Sequence, residues 1–470
     1  MKRYEQLAHD IAESIRSGVL VAGQRIPSVR HASKTYGVNA STVFQAYYLL
    51  ENRGLIRSKP RSGYFVCSQP RQSLPDREHS QMEVTSTAVD VSELVFSVLG
   101  SVRDPSIIPL GSAFPSPKLF PMQRLARSMA KATRLMDMRS VVADLPPGNH
   151  DLRRQIALRY VVENVPVNME EVVVTSGAME ALNLCLQAVT SPGDLVAIES
   201  PAFYGSLQVL ERLKLKAVEI PVDSRTGIDL EVLGKALEHH PIKACWLMSN
   251  FQNPVGVTMD DASKKSLVAL LRKHQVPLIE DDVYNELYFS SHPPKPAKSF
   301  DEEGLVMHCC SFSKSLAPGY RVGWAAAGQF ARQIERLKLM TTISASIPAQ
   351  AAIADYLEYG GYDRHLRKLR HNLEVQQNQM IAAINRYFPD GTRVTKPGGG
   401  YFLWLELPGN VDSLKLFKLA LAQGISIAPG PIFSATRGFR QYVRLNYGHP
   451  WEQEFEKAME VLGRIATSLK

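Results

Sequence analysis

Residues 311–321 read SFSKSLAPGYR and follow directly on an apolar run, LVMHCC, at residues 305–310. A strand that ends in hydroxyl groups, one amine and a nearby guanidinium predicts an anchor for a phosphorylated aldehyde. The amine of Lys314 can form a Schiff base with the aldehyde, and the other groups can bind the phosphate. Taken alone, this segment is weak evidence for such a site, because most lysines are solvated surface charges. Other polar residues upstream, which also follow apolar runs, strengthen the prediction.

Seven apolar runs alternate with helical patterns in the second part of the chain. They predict the strands of a doubly wound, mostly parallel seven-stranded sheet in an α/β fold. The runs occupy residues 171–174, 195–198, 217–220, 244–248, 276–279, 305–308 and 322–324. Ligands of such sheets bind beyond the carboxyl ends of the strands, and the unusual residues of this chain follow the runs.

These polar segments differ in chemistry. TSGAMEA at 175–181 is a strand-to-helix turn whose free N–H groups can bind an anion, and PAFYG at 201–205 offers an aromatic face. SNFQNPVG at 249–256 supplies an amide, and EDDVY at 280–284 supplies a carboxylate and a phenol. With the lysine, these groups meet the requirements of pyridoxal phosphate: an amine, a carboxylate for the ring nitrogen, donors for the ring oxygen, an aromatic stacker and a phosphate cup.

From about residue 107 to the end, these segments closely resemble, in their order and in their residues, those of fold-type I aminotransferases of the aspartate aminotransferase superfamily. The resemblance implies that Lys314 is the catalytic Schiff-base lysine and that Arg444, in QYVRLNY at 441–447, binds a substrate α-carboxylate. The other implied cofactor-binding residues are Asp281 at the ring nitrogen, Asn253 and Tyr284 at the ring oxygen, Phe203 (or its neighbour Tyr204) as the stacker, and Ala178, Met179, Ser311, Ser313 and Arg321 at the phosphate.

A structural interpretation remains the alternative, in which Asp281 and Arg444 are ion-pair partners and Lys314 is a surface residue. The presence of all the segments in order disfavours it. One residue departs from the family pattern. Aminotransferases often carry a tyrosine ahead of a Pro-x-Gly turn that reaches the partner subunit's phosphate, whereas VADLPPG at 142–148 has Ala143 near that position. We therefore expect cofactor binding and leave catalytic turnover open.

Positive charge is concentrated at the N-terminus. Residues 1–67 hold ten Lys and Arg against four Asp and Glu, a net charge of +6, while the whole chain has a net charge of only +8. Such a local excess is typical of a unit that binds a polyanion.

Helical periodicity divides this basic unit into three helices. Leu7, Ile11, Ala12 and Ile15 predict the first, which Gly18 ends, and a second follows Ser28 and ends at Gly37. The third begins at Asn39 and buries Val43, Ala46, Tyr47 and Leu50. Residues 54–66 then predict a hairpin with a basic turn, so the unit has the elements of a winged helix-turn-helix.

Three segments of this unit resemble the winged-helix domain of GntR-type bacterial regulators: GQRIPSVR at 23–30, NASTV at 39–43 and SGYFV at 62–66. The DNA-binding residues that this resemblance implies are Arg25, Arg30, Ser41, Thr42, Tyr47 and Arg61. Most of them would contact phosphates, and the helix tip would read base edges. Three alternatives remain: any one of the arginines is a solvated surface residue, Tyr47 lies on the buried stripe and belongs to the core alone, or the unit binds protein instead of DNA.

The sequence therefore predicts a winged helix-turn-helix at 1–67, a flexible polar linker at 68–92, and an aminotransferase-like domain at 93–470. We expect the cofactor part at about 140–335 and a smaller C-terminal α/β part at about 345–470. Such a fusion resembles the MocR subfamily of GntR regulators, which implies a homodimer that binds pyridoxal phosphate and a double-stranded DNA operator.

Three functions remain open. In the first, an amine or amino acid effector forms an aldimine with the cofactor and alters operator binding. The alternatives are a working aminotransferase with an accessory DNA-binding domain, and a regulator for which pyridoxal phosphate itself is the signal. The sequence does not identify the effector, the operator, or activation versus repression.

Composition agrees with an ordinary soluble protein of two or three domains. The N-terminus has no apolar signal core and the chain has no apolar run long enough to span a membrane, which predicts a cytoplasmic location. The five cysteines, Cys67, Cys185, Cys245, Cys309 and Cys310, show no metal-ligand spacing and are expected to be free, buried thiols.

Overall fold

The N-terminal unit of the computed structural model has three helices and a hairpin. The structure describes residues 3–16, 19–21, 23–59, 63–67, 86–100, 104–136 and 145–470. The helices are Arg3–Arg16, Val29–Tyr36 and Ala40–Asn52, followed by β1 (Ile56–Lys59) and β2 (Gly63–Val66). The two strands are antiparallel, with Ile56 opposite Val66. This confirms a winged helix-turn-helix.

The second helix begins and ends where the sequence predicts. The Ser28 hydroxyl accepts a hydrogen bond from the His31 amide, and Gly37 ends the helix with a positive φ of 62° that side chains rarely adopt. The predicted stripe of the third helix is buried, since Val43, Ala46, Tyr47 and Leu50 are all fully enclosed. The predicted end of the first helix at Gly18 lies outside the described residues.

A mostly parallel sheet forms the centre of the larger domain. Its strands and those beside it are β3 (Ser86–Ala88), β4 (Ile108–Pro109), β5 (Val172–Thr175), β6 (Leu195–Ser200), β7 (Lys216–Asp223), β8 (Gly227–Ile228), β9 (Ile242–Leu247), β10 (Leu278–Asp281), β11 (Val306–Ser311) and β12 (Gly323–Ala326). In the described residues the strand order is β3-β7-β6-β9-β10-β11-β12-β5, and β8 pairs with β7. All seven predicted strands are present. The strands β7, β6, β9, β10 and β11 run parallel to one another, whereas β12 is antiparallel to β11 and β5.

The predicted linker is too long at its C-terminal end. β3 pairs antiparallel with β7, which adds an edge strand to the sheet, and a helix begins at Ser92. The amides of Val91 and Ser92 donate hydrogen bonds of 2.9 and 3.0 Å to the Glu211 carboxylate. Residues 86–92 therefore belong to the larger domain, and residues 68–85 lie outside the described part of the chain.

Helices cover both faces of the large sheet, and a second small sheet completes the chain. The helices are Ser92–Gly100, Met122–Leu135, His150–Val162, Ala178–Val189, Tyr204–Arg212, Leu230–His239, Asp261–Lys273, Ala331–Thr341, Ile347–Tyr359, Tyr362–Tyr387, Ser413–Leu421 and Gln453–Ser468. The remaining strands are β13 (Arg393–Val394), β14 (Phe402–Glu406), β15 (Ile425–Ser426), β16 (Ala428–Pro429) and β17 (Tyr442–Asn446).

The small sheet is antiparallel with the order β13-β14-β17-β16, and β15 pairs in parallel with β4. The chain just after β4 is therefore attached to the C-terminal α/β part. This attachment holds residues 110–116 beside β17, near the edge of the large sheet where the predicted site residues lie.

Two further expectations can be compared with the fold. All five cysteines are free; four are buried, while Cys67 is half-buried. No helix in the described ranges combines the length and the apolar character that crossing a membrane requires.

Candidate cofactor-binding site and nucleic-acid interface

Lys314 lies in the turn that follows β11, with its amine inside the molecule. Its Nζ donates a hydrogen bond of 2.8 Å to the Ala113 carbonyl and lies 4.0 Å from the centre of the Phe114 ring. Burial, with the positive charges of Arg444 and Arg321, lowers the pKa of this amine to about 7. A substantial fraction of the amine is therefore neutral and nucleophilic at pH 7, unlike that of a surface lysine.

Asp281 ends β10 and is only 1% exposed. Burial and the neighbouring Asp282 raise the pKa of its carboxyl to about 7. Among the described residues, its Oδ1 has no hydrogen-bond partner. A buried carboxylate oxygen without a partner is costly, and a protonated ring nitrogen would satisfy it.

Asn253 and Tyr284 line the same cavity. Asn253 is fully buried, and its Nδ2 also has no partner in the part of the chain that the structure describes. Tyr284 packs edge-on against Tyr401, with ring centres 5.4 Å apart. Burial raises the pKa of the Tyr284 phenol well above its usual value, so the phenol stays protonated and can donate. Both predicted donors for a ring oxygen thus meet at one place.

A cup of groups that can bind an anion lies where the helix Ala178–Val189 begins. The amides of its first turn have no carbonyl partners within the helix. Arg321 closes the cup, with its Nη1 3.2 Å from the Ser313 hydroxyl and its Nη2 3.2 Å from the Ser176 carbonyl. Gly177 lies close to the Arg321 guanidinium and has a positive φ of 89°, a backbone conformation that favours glycine. Ser311 and Met179 line the same cavity.

Phe203 and Tyr204 occupy different positions. Phe203 is half-buried and borders the cavity, while Tyr204 is buried, with its ring centre 5.8 Å from the Arg444 guanidinium. The rings are 4.8 Å apart. This arrangement leaves Phe203 as the better-placed face for a planar ring and Tyr204 as support for the arginine.

Arg444 is fully buried on β17, under the Phe402 ring at 4.0 Å. Its Nη1 donates to Asn253 Oδ1 at 3.0 Å, and its Nη2 donates to the carbonyls of Gly111 and Ser112 at 3.0 and 3.3 Å. Its Nε has no partner within the described ranges. Backbone carbonyls therefore occupy the donors that a carboxylate would need.

The segment 111–114 is the part of the site that the sequence did not predict. Its carbonyls accept hydrogen bonds from Arg444, from Lys314, and also from Tyr401 and Asn446. No motif marks these residues, because the contacts join positions about 200 to 330 apart in the chain. The only sequence signal is Gly111, where a Cβ would lie 2.6 Å from the Ile427 backbone.

The residues Lys314, Asp281, Asn253, Tyr284 and Phe203 are among those that line a cavity of about 200 Å³, and Arg444 is not among them. A larger open cleft of about 910 Å³ lies beside β8 and β17, and none of the predicted site residues lines it. Three buried atoms here have no hydrogen-bond partner among the described residues: Asp281 Oδ1 would face a ring nitrogen, Asn253 Nδ2 a ring oxygen and Arg444 Nε a ligand carboxylate. The residues present therefore fit pyridoxal phosphate.

Of the predicted DNA-binding residues, three are exposed. Arg25, Arg30 and Ser41 face solvent, and Thr42 is half-buried. Arg61 lies outside the described residues, as does Ala143 of the larger domain. The Arg25 guanidinium lies beside the wing: a Cβ built on Gly63 would be 3.2 Å from Arg25 Nε.

The prediction for Tyr47 as a DNA contact is wrong. Its side chain is 0% exposed, and its hydroxyl donates a 2.7 Å hydrogen bond to the Pro27 carbonyl. Tyr47 thus connects the third helix to the segment just before the second helix, in the interior of the domain. Phe44 and Tyr48, which no sequence motif marks, are exposed on the same helix. Their helical spacing with Ser41, at i, i+3 and i+7, is the signal that could have identified them.

Two family descriptions match the chain. "Bacterial regulatory proteins, gntR family" matches residues 3–66, and "Aminotransferase class I and II" matches residues 114–462. The chain belongs to the aminotransferase class I and II family. It carries a gntR-family domain at its N-terminus, which confirms the fused architecture, and pyridoxal phosphate is the cofactor that this family implies.

The chain is similar both to transcriptional regulators and to aminotransferases. It is 47% identical over 466 residues to the uncharacterized HTH-type transcriptional regulator YdcR of Escherichia coli (strain K12), covering 99% of each chain. It is 30% identical to aromatic-amino-acid aminotransferase 1 of Thermococcus litoralis, covering 84% of this chain and 94% of that one. A kynurenine aminotransferase of Pyrococcus horikoshii, solved with PMP, superposes with a TM-score of 0.74 at 28% identity, covering 84% and 98% of the two chains.

Proposed function

We propose that this chain is a transcription regulator of the MocR type, in which a winged helix binds operator DNA and an aminotransferase-like domain binds pyridoxal phosphate and an amine or amino acid. The full-length similarity to HTH-type transcriptional regulators supports the regulatory role. The observation that carries the ligand-binding part is the arrangement around Lys314: an amine with a pKa of about 7, beside three unpartnered buried polar atoms.

The residues of the site have separate tasks in this proposal. Bound pyridoxal phosphate supplies an aldehyde and a ring that withdraws electrons from a carbon attached to its nitrogen. Lys314 holds the aldehyde, and Asp281 keeps the ring nitrogen protonated. Arg444 binds the ligand carboxylate, with Asn253 fixing one edge of its guanidinium at 3.0 Å.

The segment 111–114 gives the ligand a route to the DNA-binding domain. A carboxylate at Arg444 competes with the Gly111 and Ser112 carbonyls, and loss of the Lys314 amine frees the Ala113 carbonyl. The chain from this segment runs back to the helix Ser92–Gly100 and then towards the winged helix. Displacement of the segment would therefore alter how the winged helices are held, provided that the ligand favours one arrangement over another.

A homodimer is part of the proposal. Large apolar side chains are exposed on several helices of the larger domain, among them Val161, Val162, Met340 and Tyr359. Exposed side chains of this kind are available to pack in a subunit interface. Equilibrium sedimentation of the purified protein tests this: a dimer is expected, and a monomer at micromolar concentration would contradict it.

A working aminotransferase is the second candidate, because Lys314, Asp281 and Arg444 are all present in one site and the chain is 30% identical to an aminotransferase. A third possibility is that the cofactor itself is the signal. One experiment separates the three. Purified protein loaded with pyridoxal phosphate is mixed with each of the twenty common amino acids, and the spectrum and any keto acid are followed.

A persistent spectral change without keto acid supports sensing, and stoichiometric or repeated keto-acid formation supports an enzyme. If no amino acid changes the spectrum but adding or removing pyridoxal phosphate changes DNA affinity, the cofactor is the signal. A protein that neither binds pyridoxal phosphate nor binds DNA would contradict all three.

A further inference from the structure

The recognition helix, Ala40–Asn52, exposes two aromatic side chains that its own domain does not use. Phe44 is 55% exposed and Tyr48 is 66% exposed. They are one helical turn apart and share a face with Ser41 and Gln45, which are also exposed. The core residues Val43, Ala46, Tyr47 and Leu50 occupy the opposite face. The two rings are therefore a solvent-facing apolar strip and not part of the domain core.

The surroundings of this strip indicate a polyanion as its partner. The domain carries a net charge of +6, and the exposed guanidinium groups of Arg25 and Arg30 belong to it. The first turn of the recognition helix has no acidic side chain. In a helix-turn-helix the second helix enters the major groove of DNA. The apolar feature that this groove offers is the C5-methyl group of thymine.

We propose that Phe44 is a base-reading residue that packs its ring against thymine methyl groups of the operator. The proposal rests on operator binding by the winged helix. Phe44 is near the N-terminal end of the helix, where side chains reach base edges, while Tyr48 is a turn further along and donates its hydroxyl to a phosphate oxygen. A phenylalanine carries no hydrogen-bonding group, so it distinguishes thymine from the other bases by contact alone.

Substitutions at these two positions leave the fold intact. Neither side chain belongs to the buried cluster of the domain, and alanine or leucine at position 44 favours a helix at least as well as phenylalanine. Changes in DNA binding by these variants therefore report on the interface.

The test uses the full-length protein loaded with pyridoxal phosphate. A duplex is recovered by in vitro selection from a randomised library, and each thymine is replaced in turn by deoxyuridine, which removes only the methyl group. We expect one or two positions per half-site at which binding weakens roughly four-fold, which corresponds to about 0.8 kcal/mol for one buried methyl group.

At those positions, Phe44→Ala should bind the thymine and deoxyuridine duplexes equally, and Phe44→Leu should keep part of the difference. Tyr48→Phe, the matched control, should weaken binding to both duplexes by the same factor. All three variants should keep the salt dependence of the parent, since none removes a positive charge.

If the parent binds every deoxyuridine duplex as tightly as the original, or if Phe44→Ala keeps the full difference, Phe44 does not read thymine. A failure of the proposed operator binding gives a different result. The selection then recovers no preferred duplex, and the parent protein itself shows no DNA binding.

Discussion

Arg444 and Asn253 join the two halves of the ligand site, because Nη1 of the arginine donates a 3.0 Å hydrogen bond to Oδ1 of the asparagine. The arginine comes from the small sheet and the asparagine from the loop after β9. The asparagine Nδ2 has no hydrogen-bond partner among the described residues, and the proposed function assigns it to the cofactor ring oxygen. In the proposed function, the side chains that bind the ligand carboxylate and the cofactor ring are thus directly connected.

The proposed function assigns the ligand carboxylate to Arg444. Arg444→Ala should leave pyridoxal phosphate binding within a few-fold of the parent, and weaken amino-acid binding at least 100-fold, since a buried charge-assisted contact is lost. Spectral titration measures both. Arg444→Lys is the control: it keeps the charge but loses the fork geometry, so binding should be intermediate. Unchanged amino-acid affinity in the alanine variant would place the carboxylate elsewhere.

Lys314 is expected to be the covalent attachment point of the cofactor. Lys314→Ala should remove the near-visible absorption band of the bound cofactor, while the far-ultraviolet circular dichroism and basal DNA affinity remain close to those of the parent. Lys338→Ala serves as the comparison, because this lysine is also buried but pairs with Glu180 outside the cavity, at 2.8 Å. The folded Lys338→Ala variant should keep the absorption band of the bound cofactor. A band that survives Lys314→Ala contradicts the assignment.

The lowered pKa of Lys314 predicts a pH profile for cofactor loading. Only the neutral amine attacks an aldehyde, so the loading rate of the apoprotein should rise about ten-fold per pH unit below pH 7 and level off above it. Stopped-flow absorbance from pH 5.5 to 9 measures this rate. Arg444→Ala removes a neighbouring positive charge, which raises the lysine pKa and moves the midpoint to higher pH. A rate that keeps rising to pH 9 in the parent would mean an ordinary lysine.

The exposed charge of the winged helix predicts strongly salt-dependent DNA binding. Arg30→Ala should weaken binding by about 1 to 3 kcal/mol if Arg30 makes a specific contact, and should reduce the slope of log affinity against log salt by about 1 if that contact is to a phosphate. Fluorescence anisotropy at several salt concentrations measures both quantities. Arg364→Ala, a change on a helix of the larger domain, is the control and should alter neither. Binding that does not depend on salt would indicate another kind of partner.

The sequence predicted the seven central strands because buried parallel strands are continuous apolar runs, and it predicted the residues at their ends because ligands bind there. It did not predict β3, whose three residues, Ser86–Ala88, are too short and too polar to show a pattern. It also missed the segment 111–114, whose role depends on contacts with residues far away in the chain. For Tyr47 the apolar stripe indicated burial correctly, and the resemblance alone suggested a DNA contact.

The central claim is that the ligand site and the DNA-binding domain are coupled. The most direct test is to titrate the amino acid that changes the spectrum, with and without a saturating concentration of the selected duplex. Typical couplings of about 1 to 3 kcal/mol predict that DNA shifts amino-acid affinity by roughly five- to 150-fold, and that the amino acid shifts DNA affinity by the same factor. In Lys314→Ala both shifts should vanish. Identical binding curves with and without DNA in the parent protein would contradict ligand sensing.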